Sequence, residues 1–328
     1  MHILVLGAAG MVGRKLTERL LRDGRLGNGD ITRMTLQDVV APATTAKPGF
    51  PIDTVTGDFA VAGFAEKLVA DRPDVIFHLA AIVSGEAELD FDKGYRINLD
   101  GTRMLLDAIR LAGGGYKPRL IFTSSIAVFG APFPDAIGDE FFQTPLLSYG
   151  TQKAIGELLL ADYTRRGFMD GIGIRLPTIC IRPGLPNKAA SGFFSNILRE
   201  PLAGKEVVLP VSEDVRHWYA TPRSAVGFLL HAATIDSAAV GARRNLTMPG
   251  LSATVGEEIA ALKRVAGDKV AGRIKREPDP FIMGIVDGWP RNFDAKRALK
   301  LGFTTAEKTF DDIIKIHIED ELGGKFVV

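Results

Sequence analysis

Residues 3–13 read Ile-Leu-Val-Leu-Gly-Ala-Ala-Gly-Met-Val-Gly, and this stretch decides the fold. The four apolar residues at its start predict a short strand that is buried on both faces of a parallel sheet. Glycines follow at positions 7, 10 and 13, and leucines then recur with helical spacing from Arg14 to Leu21. A strand, a glycine-rich turn and a helix in this order indicate the first unit of a dinucleotide-binding fold.

Each glycine of this turn has its own physical task. Gly7 permits the tight turn, Gly10 lets a pyrophosphate approach the backbone, and Gly13 lets the helix pack closely on the strand. The N-terminus of the helix adds free N–H groups and the positive end of the helix dipole. The predicted cofactor-binding residues of this segment are Gly7, Gly10, Met11, Val12 and Gly13.

Further apolar runs predict more parallel strands, and their carboxyl ends carry polar or small residues. The second strand ends at Asp38, whose carboxylate can accept both hydroxyls of an adenosine ribose and would repel a 2′-phosphate. We therefore expect NAD rather than NADP. Ligands of such sheets bind outside the carboxyl ends of the strands. The same edge supplies three more predicted cofactor contacts, namely Asp58, Ala80 and Thr178.

Tyr149 and Lys153 fall one turn apart in a helix predicted over 148–165, so their side chains project from one face. A phenol with an ordinary pKa of about 10 is a poor base at neutral pH, and a neighbouring ammonium lowers that pKa. Ser125 ends a buried strand and can donate a hydrogen bond to the same substrate oxygen. These three predicted catalytic residues can take a proton from an alcohol when a hydride carrier lies beside them.

Two polar residues near this constellation are candidates for binding. Ser84 follows a buried strand and is predicted to contact the substrate. Asn98 falls in one long helix predicted over 86–111, where it can serve the cofactor site by holding Lys153 through water. An ordinary surface asparagine is the alternative interpretation of Asn98.

The composition excludes several classes of partner. The 328 residues have a formal net charge of +1 and no basic block, so neither nucleic acid nor a membrane surface is expected. The single cysteine, Cys180, fits a reducing compartment, and no secretory signal or bilayer-length apolar run is present. We therefore expect a cytoplasmic protein. The five histidines lack ligand spacing, so no metal site is predicted.

The quoted residues resemble the extended short-chain dehydrogenase/reductase family, which includes NAD-dependent epimerases and dehydratases. The segments 124–130 and 291–303 are also similar to that family, although Phe129 stands where tyrosine is common. The resemblance implies an α/β fold, a Rossmann-type doubly wound parallel sheet with a smaller C-terminal substrate-binding lobe. We place the NAD-binding domain at 1–185, with some later segments returning to it, and the substrate-binding lobe mainly at 186–328.

The resemblance also implies roles for individual residues. Tyr149 would be the acid/base, Lys153 would hold the nicotinamide ribose and lower the pKa of Tyr149, and Ser125 would orient the reacting oxygen. Asp38 would bind the adenosine ribose and Asp58 the adenine of NAD. The helices over 86–111 and 148–165 are similar to the pair that forms a dimer contact in this family, so a homodimer is expected.

Within the family, the chain is similar to enzymes that oxidise a small sugar acid at C2 with NAD. The carboxylate of such a substrate requires a cation, and a guanidinium matches its geometry. Arg216 is the first candidate, because it falls in the lobe expected to close over the crevice. Arg182 and Lys188 are the alternatives.

Two other functions remain open. A nucleotide-sugar epimerase would recycle bound NAD and would need a pocket for a diphosphate, which Arg216 and its neighbours would line. A dehydratase of this family would place an acidic pair beside the serine, where this chain has Ile126 and Ala127. A non-catalytic NAD-binding protein would be marked by a degraded catalytic trio, and here the trio is present.

Overall fold

The computed structural model describes residues 1–43, 49–184 and 191–328, in which strands and helices alternate. The strands are β1 (His2–Leu6), β2 (Arg25–Leu26), β3 (Gly29–Asp30), β4 (Arg33–Asp38), β5 (Ile52–Thr56), β6 (Val75–His78), β7 (Arg119–Ser125), β8 (Ile137–Gly138), β9 (Asp170–Leu176), β10 (Thr178–Ile179), β11 (Val207–Leu209), β12 (Arg216–Ala220), β13 (Asn245–Thr247), β14 (Leu251–Thr254), β15 (Ile274–Arg276) and β16 (Phe293–Asp294).

The helices cover both faces of the main sheet and build a second layer at its carboxyl edge. They are α1 (Met11–Asp23), α2 (Phe64–Ala70), α3 (Ser84–Leu89), α4 (Phe91–Gly94), α5 (Thr102–Leu111), α6 (Ser148–Arg165), α7 (Gly192–Leu202), α8 (Pro222–Thr234), α9 (Ser237–Val240), α10 (Val255–Ala266), α11 (Asp268–Ala271), α12 (Pro280–Asp287), α13 (Lys296–Lys300) and α14 (Phe310–Leu322). A π-helical segment, Tyr95–Gly101, lies between α4 and α5.

Seven strands form one parallel sheet in the order β13-β9-β7-β6-β1-β4-β5. The chain leaves β1 towards β4 and β5 on one side and then crosses to β6, β7 and β9 on the other. This reversal of direction creates a switch point at the carboxyl end of β1, where sheets of this kind bind ligands. The predicted doubly wound parallel sheet is confirmed.

The residues of β1 alternate between two buried faces of the sheet. Ile3 and Val5 pack in the cluster that contains α1 and α8, whereas Leu4 and Leu6 pack in the cluster that contains α2 and α5. All four side chains are fully buried. Burial on both faces explains why this strand reads as a continuous apolar run rather than as an alternating one.

A second hydrophobic core forms around α7, α10 and α14, next to the three-stranded sheet β10-β12-β14. β10 follows β9 directly after Pro177, so the two sheets meet at this point. β13 returns to the main sheet beside β9. The domain boundary predicted at residue 185 lies outside the described residues.

The long helix predicted over 86–111 is broken in the structure. α3 ends at Leu89, and Asp90, which follows it, leaves the helical conformation with a ψ of 84° and accepts a hydrogen bond from the N–H of Lys93 at 3.1 Å. This cap starts α4, and the π-helical segment then leads into α5. Apolar periodicity alone predicts one continuous helix here, but the Asp90 side chain caps the backbone of a new helix and so interrupts it. Within the described ranges, no helix is long and apolar enough to span a membrane.

Candidate active site

The glycine turn after β1 forms a cradle in which backbone packs directly on backbone. Gly7 has a φ of +85°, which other residues rarely adopt. A Cβ on Gly13 would lie 2.1 Å from the carbonyl oxygen of Gly7, and one on Gly7 would lie 2.7 Å from the amide nitrogen of Ala80. The N–H groups in the first turn of α1 and the glycines, which carry no side chain, fit the pyrophosphate of NAD. The cradle residues that line the adjoining cavity are Gly7, Gly10, Met11, Val12 and Gly13.

Two carboxylates lie beside the cradle and outside the lining of this cavity. Asp38 ends β4, and its Oδ2 accepts a hydrogen bond from the N–H of Ala9 at 2.9 Å. Asp58 pairs through Oδ2 with Nη1 of Arg96 at 2.6 Å. Asp38 is thus bonded to the glycine turn itself, a placement compatible with a contact to the adenosine ribose. Ala80 packs beneath Gly7, and its neighbour Ala81 lines the cavity instead.

Ser125, Tyr149 and Lys153 line one cavity of ≈ 600 Å³ at the carboxyl ends of β7 and β9. Ser125 is the last residue of β7, and Tyr149 lies in the first turn of α6. A Cβ on Gly150 would lie 2.1 Å from the carbonyl oxygen of Ala127, so α6 begins in direct contact with the turn after β7. This contact brings the serine and the tyrosine to the same cavity.

Lys153 is buried and fixed. Its side chain has 2% exposure, and Nζ donates a hydrogen bond to the carbonyl oxygen of Thr123 at 2.8 Å. Nζ lies 5.7 Å from the centroid of the Tyr149 ring. Burial lowers the pKa of Lys153 to about 8, and the charge of Glu157 opposes this change. The ammonium is therefore mostly protonated at neutral pH.

The electrostatics of Tyr149 differ from the sequence expectation. Burial raises the pKa of its phenol, while the charge of the Arg182 guanidinium and hydrogen bonding to Ser125 oppose the rise. The sequence assigned this lowering to Lys153, which here binds the Thr123 carbonyl. Arg182 follows β10 and approaches from the other sheet, so helical spacing did not reveal its effect.

A buried carboxylate one turn beyond Lys153 ties α6 to the sheet. Glu157 is 1% exposed and forms a two-pronged ion pair with Arg175 of β9, with Nη2 at 2.8 Å from Oε2 and Nε at 2.9 Å from Oε1. Glu157 also accepts a hydrogen bond from Ser124. A buried charge is stable only when it is paired and hydrogen-bonded. This network fixes Ser124, and with it the adjacent Ser125, relative to α6.

Asn98 is buried in the π-helical segment and is not a surface residue. Its Oδ1 accepts from the N–H of Ile82 at 2.9 Å, and its Nδ2 donates to the carbonyl of Ile82 at 3.1 Å and to Oε1 of Gln152 at 2.8 Å. The side chain does not line the cavity. It fastens the loop after β6, which does line it, to the helix that carries Tyr149 and Lys153.

We expect Asn98→Ala to lower the free energy of unfolding by about 2 kcal/mol, because it leaves the buried Oε1 of Gln152 and the partly buried backbone groups of Ile82 unpaired. Urea unfolding followed by circular dichroism measures this loss. Asn28→Ala is the matched control, since Asn28 is exposed, and it should stay within about 0.5 kcal/mol of the parent. Equal effects of the two substitutions would contradict the bracing role.

The predicted substrate contacts fall in different places. Ser84, the first residue of α3, and Arg182 both line the cavity. Arg182 donates from Nε to the carbonyl of Ile179 at 3.1 Å and from Nη2 to Oγ of Ser191 at 3.0 Å. Burial lowers the pKa of its guanidinium, an effect that Cys180 and Tyr149 oppose. Arg182 is therefore an oriented cation in the lining of the cavity that also contains Tyr149.

Arg216, the first candidate from the sequence, does not line the cavity. Its Nη2 lies 3.3 Å from Oε2 of Glu257, and its Nη1 donates to the carbonyl of Ser252 at 3.2 Å. Successive side chains of a strand point to opposite faces, so the next residue of β12, His217, lines the cavity instead. Lys188 lies outside the described residues.

Sequence reasoning missed the wall of the cavity that the second core supplies. That wall includes Asn196, Arg199, His217 and Trp289. β12 reads Arg-His-Trp-Tyr-Ala and has no alternation of polar and apolar residues that would reveal which face meets the cavity. The pairing of β12 with β10 in the structure is needed to identify which residues of β12 face the cavity.

Comparison with known proteins identifies a family that uses NAD, in agreement with the glycine cradle after β1. The model of the NAD dependent epimerase/dehydratase family matches residues 3–236. The chain is 44% identical over 324 residues to a D-erythronate dehydrogenase of Cupriavidus necator, with 98% of each chain covered. It is 39% identical over 322 residues to a D-erythronate dehydrogenase of Haemophilus influenzae, with 98% of this chain and 100% of the relative covered.

A solved structure is similar over almost the whole chain. It is the crystal structure of the nucleoside-diphosphate-sugar epimerase from Agrobacterium tumefaciens, with a TM-score of 0.96, 68% sequence identity, and coverage of 99% of this chain and 95% of that chain. The family resemblance predicted from the sequence is confirmed. Together with the two dehydrogenase relatives, the match of the family model over most of the chain shows that this protein is an NAD-dependent oxidoreductase and belongs to the NAD-dependent epimerase/dehydratase family.

Proposed function

We propose that this protein oxidises the C2 hydroxyl of a small sugar acid with NAD, and that the substrate is D-erythronate, which becomes 2-oxo-D-erythronate. The observation that carries the proposal is the similarity, over nearly the full length, to two D-erythronate dehydrogenases. The cavity supports it, because Arg182 and Tyr149 line it together and the charge of Arg182 acts on the Tyr149 phenol. A 2-hydroxy acid carries its carboxylate and its reacting hydroxyl on neighbouring carbons, which suits that pair.

In the proposed reaction Tyr149 takes the proton of the C2 hydroxyl. Its phenolate is favoured by the Arg182 guanidinium and by Ser125, which both oppose the rise in pKa that burial causes. With substrate bound, the single hydrogen of the Ser125 hydroxyl turns to the same substrate oxygen and orients it, so Arg182 remains as the group that lowers the pKa of Tyr149. General base catalysis of this kind contributes about 10²- to 10⁴-fold to the rate.

The remaining residues hold the reactants in place. NAD, when bound, supplies the acceptor for the hydride that leaves C2. Lys153 would hold the nicotinamide ribose, and its hydrogen bond to the Thr123 carbonyl at 2.8 Å fixes the ammonium. Arg182 presents a guanidinium already oriented by Ile179 and Ser191, and such a planar fork matches a carboxylate.

The test is the formation of NADH from a panel of sugar acids with four to six carbons, with NAD and NADP compared. We expect one NADH for each D-erythronate consumed and a clear preference for NAD, because Asp38 would repel a 2′-phosphate. Absorbance of the reduced nicotinamide measures both. Failure of every sugar acid to reduce NAD would contradict the proposed function, and a preference for NADP would contradict the role of Asp38.

A nucleotide-sugar epimerase is the second candidate, favoured by the 68% identity to the Agrobacterium tumefaciens protein of that name. An epimerase returns the hydride to its substrate, so NADH does not accumulate. The pairing of Arg216 with Glu257 weighs against it, because a diphosphate that used this arginine would have to displace that carboxylate. Interconversion of UDP-sugars without net NADH, followed by chromatography, would support the epimerase.

A further inference from the structure

His217 and Thr178 form a buried hydrogen-bonded pair in the cavity wall. Thr178 is 8% exposed and His217 is 4% exposed, and both line the cavity. Oγ1 of Thr178 lies 2.7 Å from Nε2 of His217. The two residues belong to the adjacent parallel strands β10 and β12, so the pair joins two strands of the three-stranded sheet.

The direction of this hydrogen bond follows from the other ring nitrogen. Nδ1 of His217 lies 2.9 Å from the carbonyl oxygen of Pro290, which can only accept, so Nδ1 carries the hydrogen. Burial lowers the pKa of His217 to about 4, although the bond to Pro290 opposes this, and the charge of Arg182 lowers it further. The imidazole is therefore neutral at pH 7, and its Nε2 presents a lone pair. The hydroxyl of Thr178 must donate to it.

Aromatic packing holds the imidazole in this orientation. The ring stacks on Phe194 with 5.0 Å between centroids and an interplanar angle of 6°. Tyr219 meets it edge-on at 5.6 Å, and Trp289 lies 5.5 Å away. A rotation that exchanged the two nitrogens would lose the bond to Pro290. The only hydrogen of the Thr178 hydroxyl is thus committed, and its oxygen can offer nothing but lone pairs to a ligand.

The pair lines the same cavity as Arg182 and Tyr149. Arg182 donates from Nε to the carbonyl of Ile179, the residue next to Thr178. The charge of Arg182 acts on both Tyr149 and His217, so the three side chains converge. Thr178 and His217 therefore belong to the wall of the cavity in which the proposed 2-hydroxy acid binds.

We propose that His217 is a positioning residue: it accepts the hydrogen bond of the Thr178 hydroxyl, so the Thr178 oxygen can only accept a hydrogen bond from a substrate hydroxyl beyond C2. The enzyme therefore selects polyhydroxy acids over simple 2-hydroxy acids. The inference rests on the proposed function, since it concerns the substrate of that same site. A site that hydrogen-bonds a substrate hydroxyl discriminates against an analogue that lacks it, because its own polar group is then left unpaired.

The experiment compares kcat/KM for D-erythronate and for the 2-hydroxybutyrate of the same C2 configuration, which lacks the distal hydroxyls. We expect the parent enzyme to prefer D-erythronate by about 10²-fold or more. Thr178→Val and His217→Phe should each lower this ratio about tenfold, which corresponds to one lost hydrogen bond. The lower ratio should result from a raised KM for D-erythronate. The NADH dissociation constant and kcat/KM for 2-hydroxybutyrate should be unchanged.

Three further measurements separate positioning from mere structure. Thr178→Ser keeps the hydroxyl and should retain the ratio. The double variant should lose no more than Thr178→Val alone, because His217 acts only through that hydroxyl. In ¹⁵N-labelled protein without ligands, the His217 signals should show a neutral ring with the hydrogen on Nδ1, assigned by their loss in His217→Phe.

Several results would overturn the inference. Equal losses with both acids, or weaker NADH binding, would place the Thr178 contact on the cofactor. Selectivity unchanged in His217→Phe but lost in Thr178→Val would remove His217 from the role, and so would a hydrogen on Nε2. If no sugar acid reduces NAD, the proposed function fails and this inference fails with it. If NADH forms but Thr178→Val and His217→Phe leave the ratio of the two kcat/KM values unaltered, only this inference is contradicted.

Discussion

Tyr149→Phe is expected to lower kcat by about 10²- to 10⁴-fold, the contribution typical of a general base. The substitution removes the hydroxyl that accepts the substrate proton and leaves the ring in place. Burial already raises the pKa of this phenol, and Arg182 and Ser125 are arranged to oppose that rise. Phenylalanine has no hydroxyl that Arg182 and Ser125 could hold in the ionised form. Initial rates of NADH formation at saturating D-erythronate measure the loss.

The same helix offers a matched control. Tyr163 also lies on α6, and its hydroxyl donates to Oδ1 of Asp107 at 2.8 Å, away from the cavity. Tyr163→Phe removes the same atom from the same helix, so turnover should stay within about twofold of the parent, as expected for a change that touches neither substrate nor cofactor. The NADH dissociation constant should be unchanged in both variants. Full turnover by Tyr149→Phe would exclude the tyrosine from the chemistry.

Arg182→Gln is expected to lower kcat/KM for D-erythronate by about 10²-fold or more, since hydrogen bonds to a charged group contribute more than neutral ones. Glutamine keeps hydrogen-bonding capacity towards Ile179 and Ser191 but loses the charge that attracts a carboxylate. The loss should appear mainly as a raised KM. Steady-state kinetics over a range of acid concentrations separates the two parameters.

The same variant should change the pH profile. The charge of Arg182 lowers the pKa of Tyr149, so its removal raises that pKa. Because the phenolate is the reactive form, the ascending limb of kcat against pH should move to higher pH in Arg182→Gln. A shift to lower pH, or no shift, would contradict the proposed coupling between the two side chains.

Arg216→Ala is the natural comparison for Arg182→Gln. Arg216 pairs with Glu257 outside the cavity, and its side chain is 38% exposed. Its removal should therefore leave KM for the acid unchanged. A raised KM in Arg216→Ala together with an unchanged KM in Arg182→Gln would restore the assignment that the sequence favoured.

Local sequence patterns predicted the part of the site that depends on neighbouring residues. The apolar run before Gly7 and the helical spacing after Gly13 specify a strand, a turn and a helix from short-range signals alone, and the doubly wound sheet built on them is confirmed. Tyr149 and Lys153 lie on one helix, which begins and ends where the sequence placed it. The break at Asp90 was missed because a side-chain cap leaves no trace in apolar periodicity.

The sequence by itself thus determined the cradle for NAD and the helix that carries the tyrosine and the lysine, since both follow from residues within a few positions of one another. Only the tertiary structure decided which cation faces Tyr149 and how Thr178 is oriented. The alternation along β12 turns His217 to the cavity and Arg216 away from it, and that choice depends on the pairing with β10. Thr178 and His217 meet because β10 and β12 pair in the three-stranded sheet, and no local pattern in the chain encodes a contact between residues 39 positions apart.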